Sequence, residues 1–153
     1  MLTKKQFGGN IAIKVDIRKA FETIDWNFLI AVLKQFGFCD LFCDWILAIL
    51  HSAHLSILVN GNAVGYFPCT RGVRQGDPFS PILFCLAEEV LSRAVEIERV
   101  NNSLQPMSYC RGVSLPMHIL YADDVFICCV GSKKISDVCC VFLMSIQTHP
   151  DKW

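Results

Sequence analysis

Three aspartates carry the chemistry that this sequence is best equipped to do. Asp123 and Asp124 are adjacent in HILYADDVFICCV, residues 118–130, between two apolar runs, and Asp16 lies near the exit of IAIKVDI, residues 11–17. Neighbouring carboxylates repel, and once desolvated each raises the other's pKa unless a cation lies between them. Either the pair sits on a solvated hairpin tip, where acidic residues are ordinary turn formers, or something positive belongs there. With Asp16 beside them, three carboxylates from two adjacent strands would make a rigid seat for divalent ions. Hard oxygen donors suit magnesium, and two such ions can neutralise both the attacking and the leaving oxygen when a phosphoryl group is transferred to a 3′ hydroxyl.

Such a seat needs strands, and both segments have the pattern. Ile11, Ile13, Val15 and Ile17 alternate with Ala12, Lys14 and Asp16, the period of two expected of a half-buried strand. Residues 118–130 read as a strand hairpin, closed by Gly131 and Ser132. After the first strand, Trp26, Leu29, Ile30 and Leu33 recur at helical spacing, with Asp25 placed to cap the helix and Gly37 to stop it. From Asp40 to about Ser52 a second helical period runs through Leu41, Trp45, Leu47 or Ala48, and Ile49. The following LSILVNGNAVGYF reads as two strands around Asn60, Gly61 and Asn62, because Asn-Gly between apolar runs is a strong hairpin signal. Prolines then stand at positions suited to a helix start, ahead of apolar residues at 82, 83, 86, 87, 90, 91, 94 and 95. A polar loop through Asn101, Asn102, Ser103 and Gln105 leads to Cys110–Leu115 and the acidic hairpin, and residues 133–146 suit a last helix. This order predicts an α+β fold with a largely antiparallel sheet.

Composition bounds the function classes. The 153 residues fit one domain, able to bury about two thirds of its unfolded surface. At 53% hydrophobic and 18% charged the chain is no disordered segment. The best apolar window, LFCDWILAIL, is broken by Asp44 and falls short of the roughly 20 residues of a membrane span. No signal-peptide pattern precedes Lys14 and Asp16, so an intracellular protein without a membrane partner is expected. The nine cysteines fall in apolar runs such as FICCV and VCCVF and are expected to be reduced, buried thiols. Cys39, Cys43, His51 and His54 could cluster round a metal, but no CxxC spacing supports zinc. A formal net charge of zero does not announce a nucleic-acid binder, which usually carries a basic excess.

Three ordered motifs nevertheless point to one family. KVDIRKAF (residues 14–21), RGVRQGDPFSPILF (71–84) and YADD (121–124) resemble the palm of reverse transcriptases, specifically those of plant LINE-type, non-long-terminal-repeat retrotransposons. The resemblance covers about residues 11–131 and extends to FGFCDLFCDWILAILHSAHLSILVNG and FCLAEEVLSRAV. It implies an antiparallel-sheet polymerase palm with a ferredoxin-like core and packed helices, and RNA-directed DNA synthesis by two-metal nucleotidyl transfer onto a DNA 3′ hydroxyl. Asp16 and Asp123 would bridge two Mg2+ ions, with Mn2+ able to stand in; Asp124 would complete the set and the Ile17 carbonyl would be a further ligand. The backbone N–H groups of Lys19 and Ala20 would face the incoming triphosphate, in keeping with the general use of oriented amides for anions. Phe21, five residues beyond Asp16, would lie under the sugar and exclude a ribose 2′ hydroxyl; its plain alternative is a core aromatic. Gln75 and Gly76 would lie beside the nascent base pair. Arg71 and Arg74 would contact template or phosphate, or remain solvated loop charges. Asp77 is expected to cap the next helix, and Tyr121 to pack and position the aspartates.

By the same resemblance the whole chain, 1–153, is a partial reverse transcriptase domain whose residues 132–153 diverge, without the family's fingers segments upstream or its thumb and endonuclease downstream. RNA template, DNA primer and deoxynucleoside triphosphates would be the partners, and a cytoplasmic ribonucleoprotein and the nucleus the expected locations. On that expectation the absent clamping parts would account for the neutral charge and for bare apolar surface. They also leave open a second class: a catalytically inactive remnant of a decayed element, acting at most as an apolar binding surface.

Overall fold

Alternation at both ends of the chain builds one sheet. In the computed structural model, which describes residues 9–17, 19–110, 113–114, 116–121, 124–130, 137 and 140, strand β1 (Asn10–Asp16) pairs antiparallel with β7 (Asp124–Val130), and β7 pairs antiparallel with β6 (His118–Tyr121). β7 is therefore central, with neighbours on both sides to satisfy its backbone polar groups. Its burial alternates strictly, with Val125, Ile127 and Cys129 inside. The register sets Ile13 against Ile127 and Val15 against Val125 on one face, and Lys14 against Phe126 and Asp16 against Asp124 on the other. A one-residue slip would invert every side chain, so the buried face holds this register.

The described residues fall into two compact units. The first contains this sheet, the short strands β4 (Ser108–Cys110) and β5 (Val113–Ser114), and helix α4 (Ser80–Val100) from Glu88 onward. Its core joins Ile17, Leu91, Val95, Leu104, Met117, Val125, Ile127 and Cys129. Two backbone bonds at the sheet, Val130 N–H to Gln105 O at 2.9 Å and Cys128 N–H to Met117 O at 2.7 Å, tie in the segment that follows α4.

The second unit runs from Lys19 to Ala87. It holds α1 (Ala20–Thr23), α2 (Trp26–Gln35), α3 (Asp40–His51), the hairpin β2 (His54–Val59) and β3 (Asn62–Pro68), and the start of α4. Asp25 Oδ1 accepts from Phe28 N–H at 2.9 Å and caps α2, as expected. At the other end Gly37, at φ 87°, donates to Lys34 O, and Phe38 N–H reaches back to Leu33 O, the paired bonds that end a helix through a left-handed glycine. Asn60 and Gly61 are also left-handed, at φ 49° and 81°, the type I′ turn that matches strand twist.

Three expectations change. On α3 the buried residues are Cys43, Ile46 and Leu50, whereas Leu41, Trp45 and Ile49 are exposed, Trp45 at 59%. This helix is apolar on both sides, so periodicity alone could not choose its inner face. On α4 the buried line is Leu83, Phe84, Ala87, Leu91 and Val95, and Ile82 is exposed. Among the described cysteines, all free thiols, only Cys43 and Cys129 are buried, while Cys39, Cys85 and Cys140 are exposed. The expected helix over 133–146 lies outside the described residues apart from Asp137 and Cys140, which are helical and exposed.

Candidate functional site

The open face of the first unit's sheet gathers the charged groups. Asp16 is the last residue of β1 and Asp124 the first of β7, and the register sets them directly opposite one another. Directly opposed residues in an antiparallel pair project to the same side, with Cβ atoms about 4.5–5.5 Å apart. Asp16 is exposed and Asp124 partly so, which keeps both available to a ligand. Asp123 lies outside the described residues, so the pair Asp16–Asp124 is the part of the expected triad that the structure describes. Ile17, next to Asp16, is completely buried as a whole residue, backbone carbonyl included, and anchors the strand end.

Lys14 is the group that reading the sequence for acidic residues missed. Two positions before Asp16 and therefore on the same face, it stands opposite Phe126 and reaches diagonally to Asp124, Nζ to Oδ2 at 2.9 Å. The ammonium also lies 5.6 Å from the centre of the Phe126 ring. The strand period alone would have placed Lys14 beside Asp16; its partner across the sheet required the register. Tyr121 corrects another expectation. It stands opposite Asp124 in the same row, but at 78% exposed its ring does not pack. A short edge strand leaves that side of the row uncovered.

The row of opposed carboxylates is suited to a hard divalent cation. Two acidic groups held side by side by paired backbones would repel in isolation, and a lysine ammonium already stands against one of them. That stand-in cation is the structural observation showing that positive charge fits here. Asp16 and Asp124 would supply oxygen ligands.

The second unit carries the other expected site residues. Lys19 is left-handed, at φ 56°, and its carbonyl accepts from Glu22 and Thr23 N–H, which winds the single turn of α1. Ala20 is buried, and the Phe21 ring lies flat on Phe84, with centroids 4.5 Å apart and planes 13° apart. The loop that carries Arg71, Arg74, Gln75 and Gly76 is tied to this turn through backbone. Val73 N–H donates to Phe21 O at 2.7 Å, Gly72 N–H to Ile24 O at 2.8 Å, and Trp26 Nε1 to Gly72 O at 2.8 Å.

Gly72 is the residue that makes this approach possible, and nothing in its motif had marked it out from the other glycines. It has φ 81°, and a Cβ there would meet the Glu22 carbonyl oxygen at 2.6 Å. Gly76 also has positive φ, at 91°, but its would-be Cβ meets nothing. Arg71, Arg74 and Gln75 are exposed and help line a pocket of about 390 Å³ floored by Ile46, Leu50 and Leu83. Asp77 forms a turn ahead of α4 rather than capping it: its Oδ1 accepts from the N–H of Phe79, the residue before the helix, at 2.9 Å.

Comparison with known proteins agrees with the motifs. Residues 2–149 match the model of the family described as reverse transcriptase (RNA-dependent DNA polymerase). The chain is 31% identical over 115 residues to the retrovirus-related Pol polyprotein from type-1 retrotransposable element R2 of Popillia japonica, which covers 75% of the chain and 18% of that protein. It is 30% identical over 157 aligned positions to the Pol polyprotein of the type-2 element R2DM of Drosophila melanogaster, across 95% of the chain and 15% of that protein. An uncharacterized mitochondrial protein of Arabidopsis thaliana is 37% identical over 71 residues, 46% of the chain and 58% of that protein. The chain thus spans less than a fifth of either Pol polyprotein. None of its described helices is long and apolar enough to cross a membrane.

Proposed function

We propose that this chain, which belongs to the reverse transcriptase (RNA-dependent DNA polymerase) family, contributes the catalytic palm of an RNA-directed DNA polymerase of a LINE-type retrotransposon. The observation that carries the reading is the register of β1 on β7, which opposes Asp16 and Asp124 on an open sheet face. The palm would span about residues 11–131, with a ferredoxin-like core, and 132–153 would be a divergent tail.

Asp16, Asp123 and Asp124 would hold two Mg2+ ions, or Mn2+ in their place, with the Ile17 carbonyl as a further ligand. When bound, such ions lower the charge on the attacking 3′ oxygen and on the leaving pyrophosphate. The rest is positioning by the chain itself. Lys19 and Ala20 would offer backbone N–H groups to the triphosphate of the incoming deoxynucleotide. Phe21 would bar a 2′ hydroxyl, a role supported by the stacked Phe84 that stops its ring from swinging aside. Gln75 and Gly76 would lie along the nascent base pair, where a glycine permits close backbone approach. Arg71 and Arg74 would bind template or primer phosphates, which an exposed guanidinium suits. RNA template and DNA primer are the macromolecular partners in this reading, and a cytoplasmic ribonucleoprotein and the nucleus are the places where they meet.

The test is extension of a DNA primer on an RNA template with Mg2+ and deoxynucleoside triphosphates. Asp16→Asn and Asp123→Asn should each lower the rate by about 10²-fold or more, the scale on which loss of one transition-state stabilising group acts. Extension that is indifferent to both substitutions would overturn the metal-holding role.

A further inference from the structure

Lys14 has a position that the reaction does not explain. Metal-dependent phosphoryl transfer needs negative charge to gather the ions, yet this ammonium stands 2.9 Å from Asp124 Oδ2 on the same open face as Asp16. Its location follows from two independent features. The alternation of β1 puts Lys14 on the side of Asp16, and the register puts Phe126 directly opposite it and Asp124 one diagonal step away. The diagonal neighbour in an antiparallel pair lies about 7–8 Å off, a distance that a lysine stem spans. In one and the same position the nitrogen meets both the Asp124 carboxylate and the face of Phe126, whose centre is 5.6 Å away, so the ring lies beside it if the carboxylate is taken by another cation. Both side chains of the ion pair remain partly in water, at 52% for Lys14 and 33% for Asp124, so the contact can break without a buried charge being stranded.

We propose that Lys14 is a built-in counter-cation of the carboxylate site: its ammonium neutralises Asp124 while the site holds no divalent ion, and gives way toward Phe126 when one binds. This rests on the metal-holding reading of Asp16 and Asp124 given above. Without Lys14, the opposed Asp16 and Asp124 would lose the ammonium that stands against them, which opposes pairing at that end of the sheet. With it, the sheet end is balanced before any metal arrives. The consequence is competition. A divalent ion must displace an ammonium and then share the face with it, so Lys14 weakens metal binding and sets its threshold. Lys14 is thus a positioning residue that acts on the ligands of the metal, and the step involves no covalent change.

The experiment is Mn2+ binding to the full chain, followed by electron paramagnetic resonance and repeated by calorimetry with Mg2+, for wild type, Lys14→Met, Lys14→Gln, Lys14→Arg and Asp16→Asn. Lys14→Met and Lys14→Gln should bind about two- to fivefold more tightly, the range that an exposed ion pair supports. Lys14→Arg, which keeps the charge, should stay within about twofold of wild type, and the gain in the neutral variants should shrink in high salt as screening shortens the reach of the competing charge. Thermal unfolding adds a second readout. The neutral variants should melt lower than wild type without metal and recover the difference on adding Mg2+. Binding that depends on Asp16 but is the same or weaker in both neutral variants overturns this inference and leaves the metal site standing. Binding that Asp16→Asn does not diminish overturns the metal reading and this inference with it.

Discussion

The molecule contains two antiparallel strand pairs of similar length that are governed differently. β1 alternates between half-buried and exposed positions and β7 between buried and half-buried ones, and the inner residues of β7, Val125, Ile127 and Cys129, belong to the core of their unit. β2 and β3 are exposed on both faces along their whole length, including Leu55, Ile57, Leu58, Val64, Tyr66 and Phe67. The first pair is aligned by what it buries, and the second by its Asn60-Gly61 turn, with a register shift between Leu55 and Ile57. Burial on one face makes a slip costly for every inner residue at once, whereas a turn restrains only its neighbours. A position that must be held to a fraction of an ångström is served by the first arrangement, and that is where Asp16 and Asp124 lie.

The sharpest way to break this contrast is to empty the inner face. Ile127→Ala, in the centre of β7 and fully buried, should destabilise the first unit by about 2–5 kcal/mol in urea unfolding and carry Asp16-dependent metal binding down with it. Val64→Ala or Leu58→Ala in the β2–β3 hairpin should change stability by no more than about 0.5 kcal/mol. Equal effects would mean that the hairpin too is held by a buried face.

Glycines sharpen the comparison at the next scale. Gly72→Ala forces a Cβ toward the Glu22 carbonyl in a left-handed backbone, and should cost about 1–3 kcal/mol and loosen the loop bearing Arg71 and Gln75. Gly61→Ala, at the same φ of 81° but with open space around it, should cost only the conformational part, about 1 kcal/mol. Differential scanning calorimetry of the two variants separates the steric from the conformational contribution.

The smallest effect belongs to a surface pair away from either strand set. Lys34 Nζ and Asp40 Oδ1 are 2.8 Å apart where α2 meets α3. The hydrogen bond from Lys34, and then its charge, hold the Asp40 carboxyl below the usual carboxylate range. A lowered folded-state pKa contributes stability that is present above the ordinary carboxylate value and is lost as pH falls through the folded value. Asp40→Asn should therefore melt slightly below wild type at neutral pH, and the gap should close in acid. A gap that persists at low pH would assign the difference to something other than this ionisation.

The local elements were legible in the sequence because their causes are local. Asp25 as a cap, Gly37 as a stop, Asn60-Gly61 as a turn and the alternation of residues 11–17 are all decided within a few residues. The motifs around Asp16, Gln75 and Asp123 likewise sufficed to indicate a reverse transcriptase, since ordered short motifs are a property of the linear chain. What stayed illegible was face and partner. α3 is apolar enough on every side that its inner stripe depended on what surrounds it, and Tyr121 is aromatic wherever it points.

From the sequence alone came the element types, the acidic residues that could hold a cation and the family to which they belong. Only the tertiary structure decided that Asp16 opposes Asp124, that Lys14 reaches the same carboxylate, and that Gly72 must be bare so that its loop can lie on Glu22. The physical reason is range. Caps, turns and alternation are set by interactions between near neighbours in the chain, whereas each of these three contacts joins residues about 50 to 110 positions apart, brought together by burial of the inner faces.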